Sequence, residues 1–284
     1  MPDSEPGTLY LVATPIGNLQ DMSARAIETL RSVDLIACED TRHTRNLLNH
    51  FGIATRAVSY HEHNESERSA ELINLLLEGK SVAVVSDAGT PGISDPGFAI
   101  VRQAAGAGIK VVPIPGPVAF VNALIVSGLP ADSLFFGGFL PSKKGERVKR
   151  LTDLAAIPGT LIFYEAPHRI AASLADCAGV LGDRKAAVVR ELTKIHEETV
   201  RGTLFELKVH FSAAKTRGEL VIVIDKDNGG REAPVKQQSL IERLDELERS
   251  GVDRKTALKT AAKEYGLGKS QAYRMVEAEK KAGQ

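Results

Sequence analysis

The stretch Val82-Ala83-Val84-Val85-Ser86-Asp87-Ala88-Gly89-Thr90-Pro91-Gly92-Ile93-Ser94-Asp95-Pro96-Gly97 decides how the rest of the chain is read. Four consecutive apolar residues, three of them valine, read as a buried strand. A glycine-rich turn follows, and a helix is predicted over residues 96–107. Strand, loop and helix in that order put the loop at the carboxyl end of a strand, where open α/β sheets bind ligands. Gly89, Gly92 and Gly97 permit positive φ and close backbone approach. Asp95-Pro96 reads as an N-cap followed by proline at the first helical position.

The loop's composition narrows its ligand. It lacks Gly-Lys-Ser/Thr, which excludes a P-loop, and it lacks GxGxxG, the usual dinucleotide fingerprint. Asp87 and Asp95, with no basic residue beside them, receive a polyphosphate poorly. They suit a ligand carrying hydroxyls and a positive charge. Residue chemistry alone also allows a tight turn ahead of a capped helix, with no ligand at all.

Outward from the loop, apolar runs alternate with amphipathic segments. Residues 9–13, 34–38 and 110–114 read as strands. Residues 21–31 and 41–51 read as helices, the second closed by Gly52, and residues 118–126 as a buried helix. The alternation predicts an α/β fold with largely parallel sheets. After Gly128-Leu129-Pro130 the pattern shifts. Residues 134–139, 160–164, 186–190 and 219–224 read as strands, with helices at 143–155 and 169–181 between them, which we take as a second α/β domain. Residues 225–231 form a polar linker, and beyond it the strand signal ends. Leu240, Leu244 and Leu247 share one helix face. Residues 253–265 and 270–280 read as two further helices around a Gly266-Leu267-Gly268 turn. The expected domains are thus residues 1–128, 129–228 and 229–284, the last a small helical domain with little core of its own.

Bulk properties exclude several classes. The 284 residues are 43% hydrophobic and 25% charged, ordinary for a globular protein. Thirty-six basic and thirty-six acidic residues cancel, so any nucleic-acid-binding surface must be local. Cys38 and Cys177 are isolated, which fits a reducing cytoplasm rather than a disulfide scaffold. Residues 1–8 lack an apolar signal core and no run is long enough to span a membrane, so a cytoplasmic protein is expected. His61-Glu62-His63-Asn64 brings two imidazoles to one side of an extended segment. Two ligands do not make a metal site, and no metal is expected. The segment reads better as a loop at a cleft rim or against RNA.

Basic character is local. Lys143, Lys144, Arg147, Lys149 and Arg150 crowd residues 141–150 against one acid, Glu146. From Arg254 onward eight basic residues, among them Lys255, Lys259, Lys269 and Arg274, face three acids. Both segments suit RNA phosphates. A solvated helix face explains the first equally well. For the tail, the Ala257, Leu258, Ala261 and Ala262 stripe also fits dimerisation or packing.

Several segments taken in order carry a resemblance. They are Ala13-Thr14-Pro15-Ile16-Gly17-Asn18-Leu19, Glu39-Asp40-Thr41-Arg42, the Ser86 to Gly92 loop and Pro115-Gly116-Pro117. Phe163-Tyr164-Glu165-Ala166-Pro167-His168-Arg169, Arg190-Glu191-Leu192-Thr193-Lys194 and Gly218-Glu219-Leu220 complete the set. In this order they resemble the tetrapyrrole methylase superfamily over residues 8–224. More narrowly they resemble its bacterial 16S ribosomal RNA branch, which 2′-O-methylates a cytidine ribose in the decoding region. Thr14-Pro15-Ile16-Gly17 departs from the glycine-rich first loop of many tetrapyrrole-modifying relatives, which favours the RNA branch.

The resemblance implies two α/β domains with S-adenosylmethionine in the cleft between them, a homodimer, and 16S rRNA of the small ribosomal subunit as partner. Carried across by motif, the cofactor residues are Pro15, Gly17, Asp87, Ala88, Gly89, Ser94 and Asp95. Pro117, Tyr164, Ala166, Leu192 and Gly218 join them. A ribose hydroxyl is a weak nucleophile, so an acceptor for its proton is expected. Asp40 and Glu165 are the candidates, followed by Asp87, while Arg42, His168 and Arg169 would position the substrate. Helix capping is the competing role for Asp40, and an ion pair with Arg169 that for Glu165. Two other functions stay open. One is methylation of a small tetrapyrrole. The other is a nucleic-acid-binding regulator whose α/β body senses a ligand.

Overall fold

The computed structural model describes residues 5–61, 63–213, 216–226, 244, 247–250 and 253–264. The chain divides into two compact units, residues 1–227 and 228–284. The first half of the larger unit holds β1 (Thr8–Val12), α1 (Ala24–Ser32), β2 (Leu35–Cys38), α2 (Thr41–His50) and β3 (Ala57–Ser59). It continues with α3 (Glu65–Leu77), β4 (Val82–Val85), α4 (Phe98–Gly106), β5 (Lys110–Ile114) and α5 (Ala119–Ser127). The strands pair in the order β3-β2-β4-β1-β5, all parallel.

The strands are apolar throughout because both sheet faces are covered. Ile36, Cys38, Ala83 and Val85 point to one face and pack with Ala26, Leu30 and Leu48 of α1 and α2. Their alternates Ala37, Val82 and Val84 pack with Leu72, Leu76 and Ile100 of α3 and α4 on the other. The strand order also sets the site. The connection from β1 to β2 crosses one face of the sheet through α1, and that from β4 to β5 crosses the other face through α4. β1 and β4 are neighbours, so their loops leave to opposite faces at a topological switch point, the place where such sheets open a crevice.

The second half holds β6 (Leu134–Phe139), α6 (Lys144–Leu154), β7 (Thr160–Glu165), α7 (Ile170–Leu181), β8 (Lys185–Arg190), β9 (Glu198–Thr203), α8 (Leu204–Ala213) and β10 (Leu220–Ile224). Its sheet runs β6-β7-β10-β8-β9. Only β6 and β7 are parallel; the other three pairings are antiparallel. The expectation of largely parallel sheets therefore holds for the first sheet and fails for the second. A turn of seven residues joins β8 to β9, a length that an antiparallel pair tolerates and a parallel crossover does not. One face of this sheet packs on α6, α7 and α8. The other packs on Ala123 and Leu124 of α5, together with Ile16 and Leu192. Hence α5 is buried on one side only; its Val121 and Ile125 stay exposed.

Helix α4 begins two residues later than predicted. Its N-cap is Gly97 at φ 143°, with no side-chain cap of its own, so Asp95 does not occupy the capping position. In the smaller unit, α9 (Arg254–Glu264) is capped by Asp253, whose carboxylate accepts from Thr256 N at 3.1 Å. The predicted turn at 266–268, the helix at 270–280, and Leu240, Lys269 and Arg274 lie outside the described residues. So does the side chain of Lys255. No helix among the described residues is long and apolar enough to cross a membrane.

Arg147 corrects a second expectation. It is buried on the inner face of α6. Its guanidinium bonds Asp176 of α7 at 2.6 and 2.8 Å and the carbonyls of Pro141 and Ser142 at 3.1 and 3.0 Å. With its donors turned inward it has no face for an RNA phosphate. Lys143, Lys144, Lys149 and Arg150 remain exposed on the same segment. Removing one partner of a buried pair leaves the other charge uncompensated, so Asp176→Ala should cost about 3 kcal/mol or more. Urea unfolding would register this as a lowered midpoint with an unchanged slope. A cost under about 1 kcal/mol would show that Arg147 reaches water.

Candidate functional site

The crevice at the switch point is built from the backbone outward. Thr14 N donates to Gly89 O at 2.8 Å and Gly89 N to Thr14 O at 3.0 Å, an antiparallel bridge between the loops after β1 and β4. Thr14 Oγ1 donates to Ser86 O at 3.1 Å, and Ser86 Oγ to Gly89 O at 3.2 Å. Gly89 sits at φ 85° against Ile16 and the carbonyl of Pro117. A third loop joins where Asp40 N donates to Asp87 Oδ1 at 3.1 Å. Ser94 holds φ 61° without being glycine, backbone strain of the kind that collects at ligand sites.

A cavity of about 400 Å³ opens between this loop cluster and the second sheet. Asp87, Ala88, Gly89, Ser94 and Asp95 line it from the β4 loop. Tyr164 and Ala166 face them from the end of β7, Leu192 from the β8–β9 turn and Gly218 from the start of β10. Sequence reasoning missed most of the apolar wall: Ile16, Ile93, Val118, Phe139 and Val189. Phe139 arrives because β6 is irregular between Phe136 and Phe139, where Gly138 takes φ 63°. Its ring lies edge-on to Tyr164 at 5.6 Å, and Phe136 lies edge-on to Tyr164 at 4.9 Å. The doublet Gly137-Gly138 was the available sign of that irregularity.

The polar end of the cavity is acidic. Burial pushes the Asp95 carboxyl up to about 6, helped by the charges of Glu39 and Asp87 and opposed by a hydrogen bond from Ser86. Burial also raises the Tyr164 phenol, with Asp95 and Glu219 adding to the effect.

Pro15, Gly17 and Pro117 do not line the cavity. Gly17 packs against Lys194 and Thr193 with no space for a Cβ. Pro117 borders a neighbouring depression of about 380 Å³ with Asp21, Asn122 and Thr193. Gly218 borders the cavity and presses on Glu191, which leaves no room for a side chain.

Glu165, an acid–base candidate, also borders the cavity, but its carboxylate is held by neighbouring groups. Its side chain is 0% exposed and fully engaged. Oε1 accepts from Ala166 N at 2.8 Å and pairs with Arg169 at 3.1 Å, while Ser173 Oγ donates to Oε2. Arg169 also donates to Leu140 O, so it braces the β6–α6 connection. Asp40 caps α2: its Oδ1 accepts from Arg42 N at 2.8 Å, and Arg42 pairs with Oδ2 at 3.3 Å. These bonds hold the Asp40 carboxyl below the ordinary carboxylate value. Arg42 is 91% exposed and His168 is exposed in the turn before α7. Among the described residues no group of three or more His, Cys, Asp or Glu is placed to hold a metal ion.

A family model for tetrapyrrole (corrin/porphyrin) methylases matches residues 8–208. A curated relative from Mesorhizobium japonicum, named ribosomal RNA small subunit methyltransferase I, is 50% identical over 268 residues. The match covers 94% of this chain and 90% of the relative. A relative of the same name from Halalkalibacterium halodurans is 48% identical over 278 residues, with 96% of each chain covered. Among solved structures, uroporphyrin-III C-methyltransferase from Thermus thermophilus, complexed with S-adenyl homocysteine, superposes with a TM-score of 0.54 at 19% identity. It covers 77% of this chain and 97% of that one. The parallel sheet, its switch point and the matched length agree with these likenesses, and the chain belongs to the tetrapyrrole methylase family.

Proposed function

We propose that the protein is an S-adenosylmethionine-dependent methyltransferase of small-subunit ribosomal RNA, and that it methylates the ribose 2′-hydroxyl of a cytidine. One observation carries the cofactor part. Loops from both sheets converge on a single cavity with acids at one end and apolar walls elsewhere. The names of the relatives support the RNA part, as does the exposed basic face of α6.

The residues fit the cofactor. A volume of about 400 Å³ lies within the range of small-molecule pockets. Asp87 and Asp95 would face the sulfonium and the hydroxyls, while Ile16, Val118, Leu192 and Tyr164 would enclose the adenine. When bound, the cofactor supplies a methyl group on a cationic sulfur, open to in-line displacement by an oxygen. The chain supplies alignment and exclusion of water. Asp40 stands at the end of β2, its backbone bonded to Asp87 and its carboxylate half exposed. It is the acceptor we assign to the ribose hydroxyl, with exposed Arg42 and His168 beside the incoming RNA. Val121 and Ile125, one turn apart on α5 and both exposed, form an apolar stripe that a second copy would cover in a homodimer.

Labelled S-adenosylmethionine, incubated with small ribosomal subunits lacking the modification, should transfer label to RNA as a ribose methyl. Label confined to a porphyrinoid, or no transfer, would overturn the assignment. In that assay Asp40→Asn should lower turnover at least about 100-fold, the usual weight of a proton acceptor. Asparagine caps helices as well as aspartate does, so unchanged thermal stability would separate the chemistry from the cap. Full turnover would leave Asp40 a cap alone.

The charge on Asp95 sets a pH dependence. Its folded value of about 6 lies above the ordinary 3.8, so the carboxyl is neutral in acid and ionises as pH rises through about 6. Affinity for the cationic cofactor should therefore rise across that window, and Asp95→Asn should flatten the rise. The effect on folding has the opposite sign. Stability from the neutral form is complete below the unfolded value and is lost as pH rises through about 6. Calorimetric titration at a series of pH values checks the binding part. A profile identical in Asp95→Asn would overturn it.

Replacing Lys144 and Lys149 with alanine should lower the slope of log affinity against log salt by roughly 1.4 for single-stranded RNA. An unchanged slope would remove α6 from the RNA contact.

A further inference from the structure

His61, His63, Asn64 and Glu65 do not line the cavity, yet Glu65 reaches the cavity loop. Asn64 Oδ1 accepts from His61 N at 2.8 Å, and its amide donates to Ser59 O at 3.4 Å. These bonds fix the turn from β3 into α3. Glu65 is the first residue of α3, and its Oε1 accepts from Gly97 N at 3.1 Å and Ala99 N at 3.4 Å. Tyr60, almost wholly buried, donates its hydroxyl to the same oxygen at 2.9 Å. Gly97 is the N-cap of α4 and has no side chain to cap with. A carboxylate thirty-two positions earlier in the chain does the work instead, satisfying open N–H groups and complementing the helix dipole.

The displaced group is Asp95. An aspartate readily closes an Asx turn onto the N–H two residues ahead, above all when proline follows it. For Asp95 that N–H belongs to Gly97, which Glu65 already holds. Asp95 lines the cavity instead. We propose that Glu65 is a positioning residue for the cofactor loop: by capping α4 it keeps Asp95 out of a local turn and facing the ligand. This rests on the cavity being the S-adenosylmethionine site.

The test is a double-mutant cycle on the full chain, reading S-adenosylmethionine affinity by calorimetry. Asp95→Ala should weaken binding roughly tenfold in the wild-type background, the usual worth of a contact to a charged group. Glu65→Ala should weaken it by a similar factor. In the Glu65→Ala background, adding Asp95→Ala should cost less than about twofold, because Asp95 has already left the cavity. Asp87→Ala is the control. The Asp40 backbone holds Asp87 independently, so its cost should be the same in both backgrounds. Glu65→Gln keeps an acceptor oxygen and should bind within about threefold of wild type. If Glu65→Ala does not fold, the cycle runs with Glu65→Asp, whose carboxylate stops one methylene short of Gly97. Equal factors for Asp95→Ala in both backgrounds would overturn the positioning role. No binding by the wild-type chain would instead sink the cofactor reading itself.

Discussion

The two hydrogen bonds between Thr14 and Gly89 hold the site together. Two parallel strands whose connections leave in opposite directions open a crevice between them, but nothing in that topology fixes its width. The bridge fixes it. It extends the β1–β4 pairing past the ends of both strands by pairing their loops antiparallel. Thr14 then secures Ser86 through its hydroxyl. Gly89 is held at a φ that glycine alone adopts without strain. The remaining cavity walls are placed relative to this pair: Ile16 packs on Gly89 from one side and the Pro117 carbonyl from another.

Buried charge in the second half serves the scaffold. Arg147 with Asp176, and Glu165 with Arg169 and Ser173, are ion-paired networks inside the second half. Both arginines also bind carbonyls of residues 140–142, the connection between β6 and α6. That connection joins the strand carrying Phe139 to the helix carrying the exposed lysines. The two networks thus lock the cavity wall to the basic face. A satisfied buried pair is costly to disturb, so the spacing between the cavity wall and the lysines of α6 is fixed.

Much of this was legible in the sequence. β1, β2, β4 and β5 announce themselves as apolar runs because helices cover both faces of their sheet. Nine of the twelve cofactor residues inferred by motif line the cavity, since motif positions fall at strand ends and strand ends converge. β9 was not read because none of its residues is buried, as befits an edge strand with a single apolar side chain, Val200. Arg147 misled because its charge marks it as a surface residue, whereas its helical position turns it toward Asp176. Asp95-Pro96 misled for a related reason. The local capping signal is genuine, but a distant carboxylate outcompetes it, and sequence windows do not see Glu65.

That competition explains how a half-buried acid comes to face the cavity. A carboxylate left to local preference would close onto its own backbone, satisfied and of no use to a ligand. Held away from that turn, Asp95 sits among Glu39 and Asp87 with its charge disfavoured. Burial first, and the neighbouring acids second, disfavour its ionised form, and a bound cation offsets both. A polyphosphate would add to the repulsion. The same arrangement that raises the Asp95 carboxyl to about 6 therefore selects the sign of the ligand's charge before any specific contact forms. The loop's missing lysine and the cavity's crowded acids are two expressions of one electrostatic design.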